Sequence, residues 1–342
     1  MSTPLFSRFG AAALFASLAF ALTGCNGATG LSSDGGAPVD ASGPQPDLFG
    51  YKQVQVSIGP IDLAAGQETT VCTIFKLPVD VDADIVKIDA TLLPGSHHLI
   101  FYKSAETTEQ TTPFKCELLT DSLTTQVFGG TPKEVPLYIA ETQHANALQL
   151  PTGVAYHLAA HQMVAIEAHY INASPNPIQG KGTVFLTIAP PGGTWIPADL
   201  MFCGSVTPLL KMLGGMGVPP GMSSLPPGFY QPPKGVKVFG LTTHQHRRGT
   251  LMTLAKSTGA NDPGTILVNG QPWDNEPFIT YDDSHLLTFA DTEGIRWQCN
   301  YDNPDAQTVY FGPSAQSNEM CFYWVYYFPS VGHPISYPDC IR

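Results

Sequence analysis

Val54-Gln55-Val56-Ser57-Ile58 alternates apolar and polar side chains, and the same period returns in Thr183-Val184-Phe185-Leu186-Thr187 and Lys237-Val238-Phe239-Gly240-Leu241. Successive side chains of a strand point to opposite faces, so each run reads as a half-buried strand with one face toward a core. Outside these runs charge is sparse, 13% of residues, while 33 Gly and 31 Pro punctuate short segments rich in Thr, Val, Tyr and Phe. That is the pattern of many brief strands joined by turns, and no amphipathic helix longer than a turn or two is expected. At 342 residues the chain exceeds one small core and suits two packed units. The predicted fold class is all-β.

Toward the N-terminus, Arg8 precedes an apolar stretch from Phe9 to Leu22 that ends in Leu22-Thr23-Gly24-Cys25, the form of a bacterial lipoprotein cleavage box. Residues 1–24 are therefore expected to be a signal peptide and Cys25 the lipidated first residue of the mature chain. Residues 25–48 are Gly, Ser, Asp, Ala and Pro with little to bury, which reads as a flexible tether. The first domain is placed at 49–197 and the second at 198–342, with the boundary near Pro197. A Pro/Gly/Met-rich insertion at about 208–235 carries Met212, Met216 and Met222 and is expected to form no regular element. Its thioethers suit Cu(I), although methionine in such a loop also simply packs. No later stretch reaches the roughly 18 apolar residues that span a bilayer, so the lipid is the expected membrane attachment. Asn26 in place of Asp after the lipidated cysteine favours the outer membrane or cell surface over the inner membrane. Removal of the signal takes away Arg8, leaving 15 basic against 28 acidic residues, or −13, which disfavours nucleic acid as a partner.

Seven cysteines less Cys25 leave Cys72, Cys116, Cys203, Cys299, Cys321 and Cys340. An even number in an exported chain implies three disulfides, and the absence of any CxxC pair disfavours a zinc ribbon. Two fall early and four late, which suggests one bridge in the first domain and two in the second.

Among ten histidines, His97-His98, Glu167-Ala168-His169-Tyr170 and His244-Gln245-His246 stand in or beside strand-like runs. Residues two apart share a strand face, so His244 and His246 can offer two imidazoles to one metal. His97 and His98 would point to opposite faces of a regular strand. Sharing a metal requires a strand end or a bulge, which Pro94-Gly95 can provide. Glu167 lies two residues before His169 and so within reach as an acceptor for its imidazole, its other reading being a solvated strand residue. His144, His157, His161, His285 and His333 read as structural or surface residues. Asn318 to Phe328 reads as a buried strand, in which Met320 taken alone is core.

These motifs, in this order, resemble those of the copper type II, ascorbate-dependent monooxygenases: His97-His98, His169-Tyr170, His244-Gln245-His246 and Glu319-Met320-Cys321, over roughly Lys52 to Cys340. The resemblance implies two tandem antiparallel jelly-roll-like β-sandwiches with a copper site on each, facing one another across a solvent cleft. It implies an electron-transfer copper on His97, His98 and His169, and a catalytic copper on His244, His246 and Met320 where dioxygen and substrate meet. Cofactors would be two copper ions and ascorbate or a similar one-electron reductant. The implied disulfides are Cys72 to Cys116, Cys203 to Cys340 and Cys299 to Cys321. Where peptide-amidating members hold a substrate carboxylate with Arg, Asn and Tyr, this chain has Thr242, Phe322 and Trp324. A small or weakly polar substrate is therefore expected in place of a glycine-extended peptide; Phe322 and Trp324 can contact it, although aromatic residues on a strand near a core more often pack, and Thr242 offers only a hydroxyl. The second reading is a copper-binding or copper-delivering lipoprotein without turnover, and the third a binding β-sandwich with incidental histidines.

Overall fold

The structure is a computed structural model that describes residues 45–46, 50–127, 130–141, 147–270, 273–332 and 340–341. The expected signal peptide, Cys25, His144 and His333 lie outside the described residues. The described residues belong to one compact unit.

Strands predicted from alternation form where expected. In Lys52–Leu63 the side chains of Val54, Val56 and Ile58 are buried and Gln55 is exposed, and in Ile178–Ile188 Val184 and Leu186 are buried. These two strands pair with one another, and Ala83–Leu92 pairs with the second. They belong to a seven-stranded sheet ordered Gln45–Pro46, Lys52–Leu63, Ile178–Ile188, Ala83–Leu92, Val154–Leu158 and Ile196–Pro197, with Leu148–Gln149 also on Ala83–Leu92. Its last pairing is parallel and the others are antiparallel. A second, wholly antiparallel sheet is ordered Gln110–Lys115, Glu68–Lys76, Met163–Ile171, Ser96–Ser104 and Glu134–Glu141. The inner faces of both feed one apolar core, as in a sandwich.

The C-terminal part repeats the plan. One sheet is ordered Asp199–Gly204, Cys321–Phe328, Lys237–Gln245 and Phe278–Thr280. The other is ordered Gly221–Ser224, Gly294–Asn303, Gly249–Ser257 and Thr265–Asn269, with Gly228–Tyr230 also on Gly294–Asn303. The mostly β, sandwich-like architecture expected from the sequence is thus present.

The first of these C-terminal sheets is not half-buried. Every residue of Cys321–Phe328 is buried. Phe322, Trp324, Tyr326 and Phe328 enter the N-terminal core, while Cys321, Tyr323, Val325 and Tyr327 enter the C-terminal one. The neighbouring Lys237–Gln245 is likewise buried after Lys237, so the polar-outward face expected for Lys237-Val238-Phe239-Gly240-Leu241 does not exist. Its register with Cys321–Phe328 shifts at Phe239, so Val238 and Leu241, three apart, share one core and Phe239 turns to the other.

Two further expectations are corrected. Leu118–Val127 is a ten-residue helix that period reading did not find. Over Leu118–Gln126 the buried residues are Leu119, Ser122 and Leu123, too short a stripe to register as amphipathic, and the first turn is capped from another strand by the Glu167 carboxylate, which accepts from Leu119 N at 3.1 Å. The 208–235 stretch is not irregular throughout: Thr207–Leu209 and Lys211–Leu213 are 3₁₀ turns, and Gly221–Ser224 and Gly228–Tyr230 are strands. Both strands lean on Gly294–Asn303 alone, where proline and glycine are tolerated because one side of the ladder is open. Met212, Met216 and Met222 are exposed. Disulfides join Cys72 to Cys116, Cys203 to Cys340 and Cys299 to Cys321, the last linking the two C-terminal sheets. Among the described residues no helix is long and apolar enough to cross a membrane.

Candidate metal centre

His98 is paired with His169 across Ser96–Ser104 and Met163–Ile171, but the next pair is Tyr170 with Ser96. His97 is therefore the extra residue of a bulge. That bulge removes the alternation that would have sent two adjacent imidazoles to opposite faces, and their ring centroids lie 5.0 Å apart. Gly95 supports the turn at φ +87°, where a Cβ would meet the Ile178 side chain at 2.5 Å. His169 completes a compact trio, 5.1 Å from both His97 and His98.

His244 is the last residue but one of the buried strand Lys237–Gln245 and His246 is the first residue past it, with ring centroids 5.2 Å apart. Continuing the register from His244 opposite Phe322 and Gln245 opposite Cys321 brings Met320 to the position opposite His246. The two histidine groups are not separated by a solvent cleft, as the resemblance implied. His97 lies 5.5 Å from His244 and 6.1 Å from His246, and His98 lies 5.2 Å from His244, so five imidazoles drawn from both sandwiches form one cluster. Metal-binding atoms of His97, His98 and His244 all fall within 4.8 Å of one another.

The cluster is buried, none of its five histidines being more than 5% exposed. Yet His97 Nε2, His98 Nδ1, His244 Nε2 and His246 Nε2 have no hydrogen-bond partner. A buried polar atom left unpaired costs about 1–3 kcal/mol, so four converging orphans are expensive unless an ion satisfies them. The donor set also suits copper, since imidazole serves both oxidation states and a thioether favours Cu(I). Burial, and then the neighbouring imidazoles, holds His97, His98 and His246 well below the usual imidazole range, which keeps them neutral and able to donate lone pairs. At His244 burial pulls the same way, but the Glu141 carboxylate outweighs it and leaves the group raised.

The opposite ring nitrogens are held by acceptors. Glu141 Oε1 takes His244 Nδ1 at 3.1 Å, Asn318 O takes His246 Nδ1 at 3.3 Å, and Glu68 Oε1 takes His169 Nε2 at 2.9 Å. Such partners fix the tautomer and aim the free lone pair inward. Buried carboxylates also brace the backbone. Glu319 accepts from His246 N at 3.2 Å, Arg248 N at 2.8 Å and Met320 N at 3.3 Å, so the acid of Glu319-Met320-Cys321 ties the His246 turn to Met320. Glu276 accepts from Gln245 N at 3.1 Å and from the Thr243 hydroxyl. Trp273, half-buried, sets its ring 5.2 Å from that of His97.

Sequence reasoning missed Glu68, Glu141, Glu276 and Trp273, each distant in the chain from the imidazole or backbone it serves. Glu167 was named for the role that Glu68 fills: its carboxylate turns instead to the helix at Leu118–Val127, and burial pushes it up to about 8. Thr242, Phe322 and Trp324 are fully buried. Phe202 lies 4.2 Å from Phe322 and 4.5 Å from Trp324 by ring centroids, so in this structure these aromatics are packing between the sandwiches. His157, His161 and His285 are exposed beside carboxylates, away from the cluster, in keeping with their surface reading.

Fold and site together describe a mostly β protein with a buried histidine-rich candidate metal centre. Residues 229–341 match the family model described as copper type II ascorbate-dependent monooxygenase, C-terminal domain, a family of enzymes. That segment contains His244, His246, Trp273, Glu319 and Met320. Among solved structures, the major capsid protein P2 from bacteriophage PM2 is similar over 80% of this chain and 96% of its own, at 9% identity and a TM-score of 0.32, a likeness too loose to bear on function. No curated protein matches the chain.

Proposed function

We propose that this chain is a copper-dependent monooxygenase that hydroxylates a C–H bond of a small or weakly polar organic substrate with dioxygen and an ascorbate-like external reductant. The observation that carries the reading is the convergence of buried, neutral imidazoles whose inward nitrogens lack partners. The family match over residues 229–341 supports the same chemistry. His97, His98 and His169 would hold one copper, and His244, His246 and Met320 the other. Bound copper supplies one-electron transfer and the reduction of dioxygen.

The protein's own part is positional. Glu141, Asn318 and Glu68 commit the outward nitrogens of three imidazoles, so those rings need no reorientation when a ligand arrives. Burial excludes water from the cluster and protects reactive species from side reactions. Trp273, the half-buried aromatic against His97, offers an apolar edge where a weakly polar substrate would approach. The disposition of the protein in the cell is part of the proposal: export, lipidation at Cys25, and attachment to the outer membrane or cell surface by the lipid alone.

The test is oxygen uptake by copper-loaded, anchor-free protein with ascorbate and a panel of amine, aromatic and aliphatic substrates, beside Met320→Ile. Uptake coupled to a hydroxylated product, and lost in the variant, is the expected result. Copper binding without coupled turnover for any substrate would favour a copper carrier, and absence of copper binding would defeat both.

A further inference from the structure

Glu68 stands at the first position of Glu68–Lys76, opposite Ile171 and diagonal to His169, whose own cross-strand partner is Thr70. Diagonal neighbours on one face are within reach of a long side chain. Its carboxylate serves both sandwiches at once. Oε1 accepts from His169 Nε2 at 2.9 Å and from Ala315 N at 2.6 Å, and Oε2 accepts from Ser314 Oγ at 2.8 Å. The path continues within the C-terminal part. Asn318 N donates to Ser314 O at 2.8 Å, the Asn318 side chain accepts from Ser314 N at 3.3 Å, and Asn318 O accepts from His246 Nδ1 at 3.3 Å. From there Glu319 joins His246 N to Met320 N. An unbroken hydrogen-bonded path therefore runs from an imidazole of the first sandwich to an imidazole of the second, and its one side chain that crosses between them is Glu68.

We propose that Glu68 is a positioning residue that couples His169 to His246 through the 314–318 turn, so that metal bound on one side of the cluster orders the ligands on the other. The inference rests on the cluster binding copper. A metal on Nδ1 of His169 would make its remaining Nε2–H a stronger donor, which tightens the bond to Glu68. A tighter carboxylate holds Ser314 and Ala315 more firmly, and these set the carbonyl that orients His246. Glu141 cannot substitute, because it reaches His244 and makes no bond to this turn. The turn's remaining tie to the His246 side of the site, Arg247 N to Ala315 O at 3.4 Å, stays within the C-terminal part.

The experiment titrates Cu(II) into the whole protein, wild type beside Glu68→Gln, Glu68→Ala and Ser314→Ala. It reads copper content, the Cu(II) paramagnetic resonance spectrum at each equivalent, and amide exchange in peptides covering 311–318, which stop short of Met320. In wild type, copper is expected to slow exchange of the Ala315 region about tenfold or more. Glu68→Ala should abolish that slowing and shift the spectrum of the His246-side copper, with copper still bound. Ser314→Ala, which leaves the His169 bond untouched, should reduce the slowing, and Glu68→Gln should restore part of what Glu68→Ala loses. Should Glu68→Ala fail to fold, Ser314→Ala and Glu68→Gln carry the decision. Copper-bound variants that keep the wild-type slowing and spectrum would overturn the coupling alone. A wild type that binds no copper would overturn the proposed function and the coupling with it.

Discussion

Lys52–Leu63 and Cys321–Phe328 are both strands, yet the first alternates buried and exposed positions while the second is buried at every residue. The first lies on an outer sheet and faces one core. The second lies on the sheet shared by both sandwiches and divides its side chains between two. The number of cores a sheet faces thus decides whether alternation survives in the sequence, and it also decides where chemistry can be placed. His244 and His246 leave the shared sheet at its end, which is how they meet His97, His98 and His169 from the other sandwich. The carboxylate that orients His244 is likewise Glu141 of the N-terminal part.

The comparison can be broken most severely at the shared sheet. Trp324→Ala removes a fully buried side chain packed on Phe202 and should cost about 3–5 kcal/mol, read as a lowered denaturant midpoint at unchanged slope. An effect below about 1 kcal/mol would mean the two sandwiches do not depend on this contact. Next in size, Glu141→Ala strips His244 Nδ1 of its partner across the interface and should weaken Cu(II) binding about 10- to 100-fold in a competition titration, since outer partners of ligating histidines carry effects of that order. An unchanged affinity would show that the C-terminal sandwich sets its own ligand.

Away from the interface the expected effect is one of pH. Glu167, pushed up to about 8 by burial, binds a proton more readily folded than unfolded. Its contribution is therefore fully present below the ordinary carboxylate value of 4.5 and is lost as pH rises through about 8. Glu167→Gln keeps an acceptor for Leu119 N but does not titrate. In copper-free protein the stability of wild type relative to this variant should fall steadily between those pH values, and a flat difference would show that the carboxylate is solvated.

Much of the site was legible because local geometry carries it. The two-residue spacing of His244 and His246 required only strand periodicity, and the adjacency of His97 and His98 required a bulge, which Pro94-Gly95 announced. Glu68 and Glu141 were not legible because each meets its partner through a tertiary contact: a diagonal across a pairing register in one case, a different sandwich in the other. Glu167 shows the same limit from the opposite side. Periodicity put it on the face of His169, but the helix at Leu118–Val127, too sparsely apolar to be foreseen, took its carboxylate. Phe322 and Trp324 stand at a substrate-contact position in the motif order and also on a strand that reads as buried, and the burial of both faces of their sheet decides for packing here.

The central claim is that the five-histidine cluster is a copper centre, and the most direct test is copper content after loading and desalting, with nitrogen hyperfine structure in the Cu(II) resonance spectrum. The account expects about two coppers per chain, with imidazole coupling, and marked loss on His97→Ala, His98→Ala or His244→Ala. No retained copper, or retention unchanged when these imidazoles are removed, would contradict it.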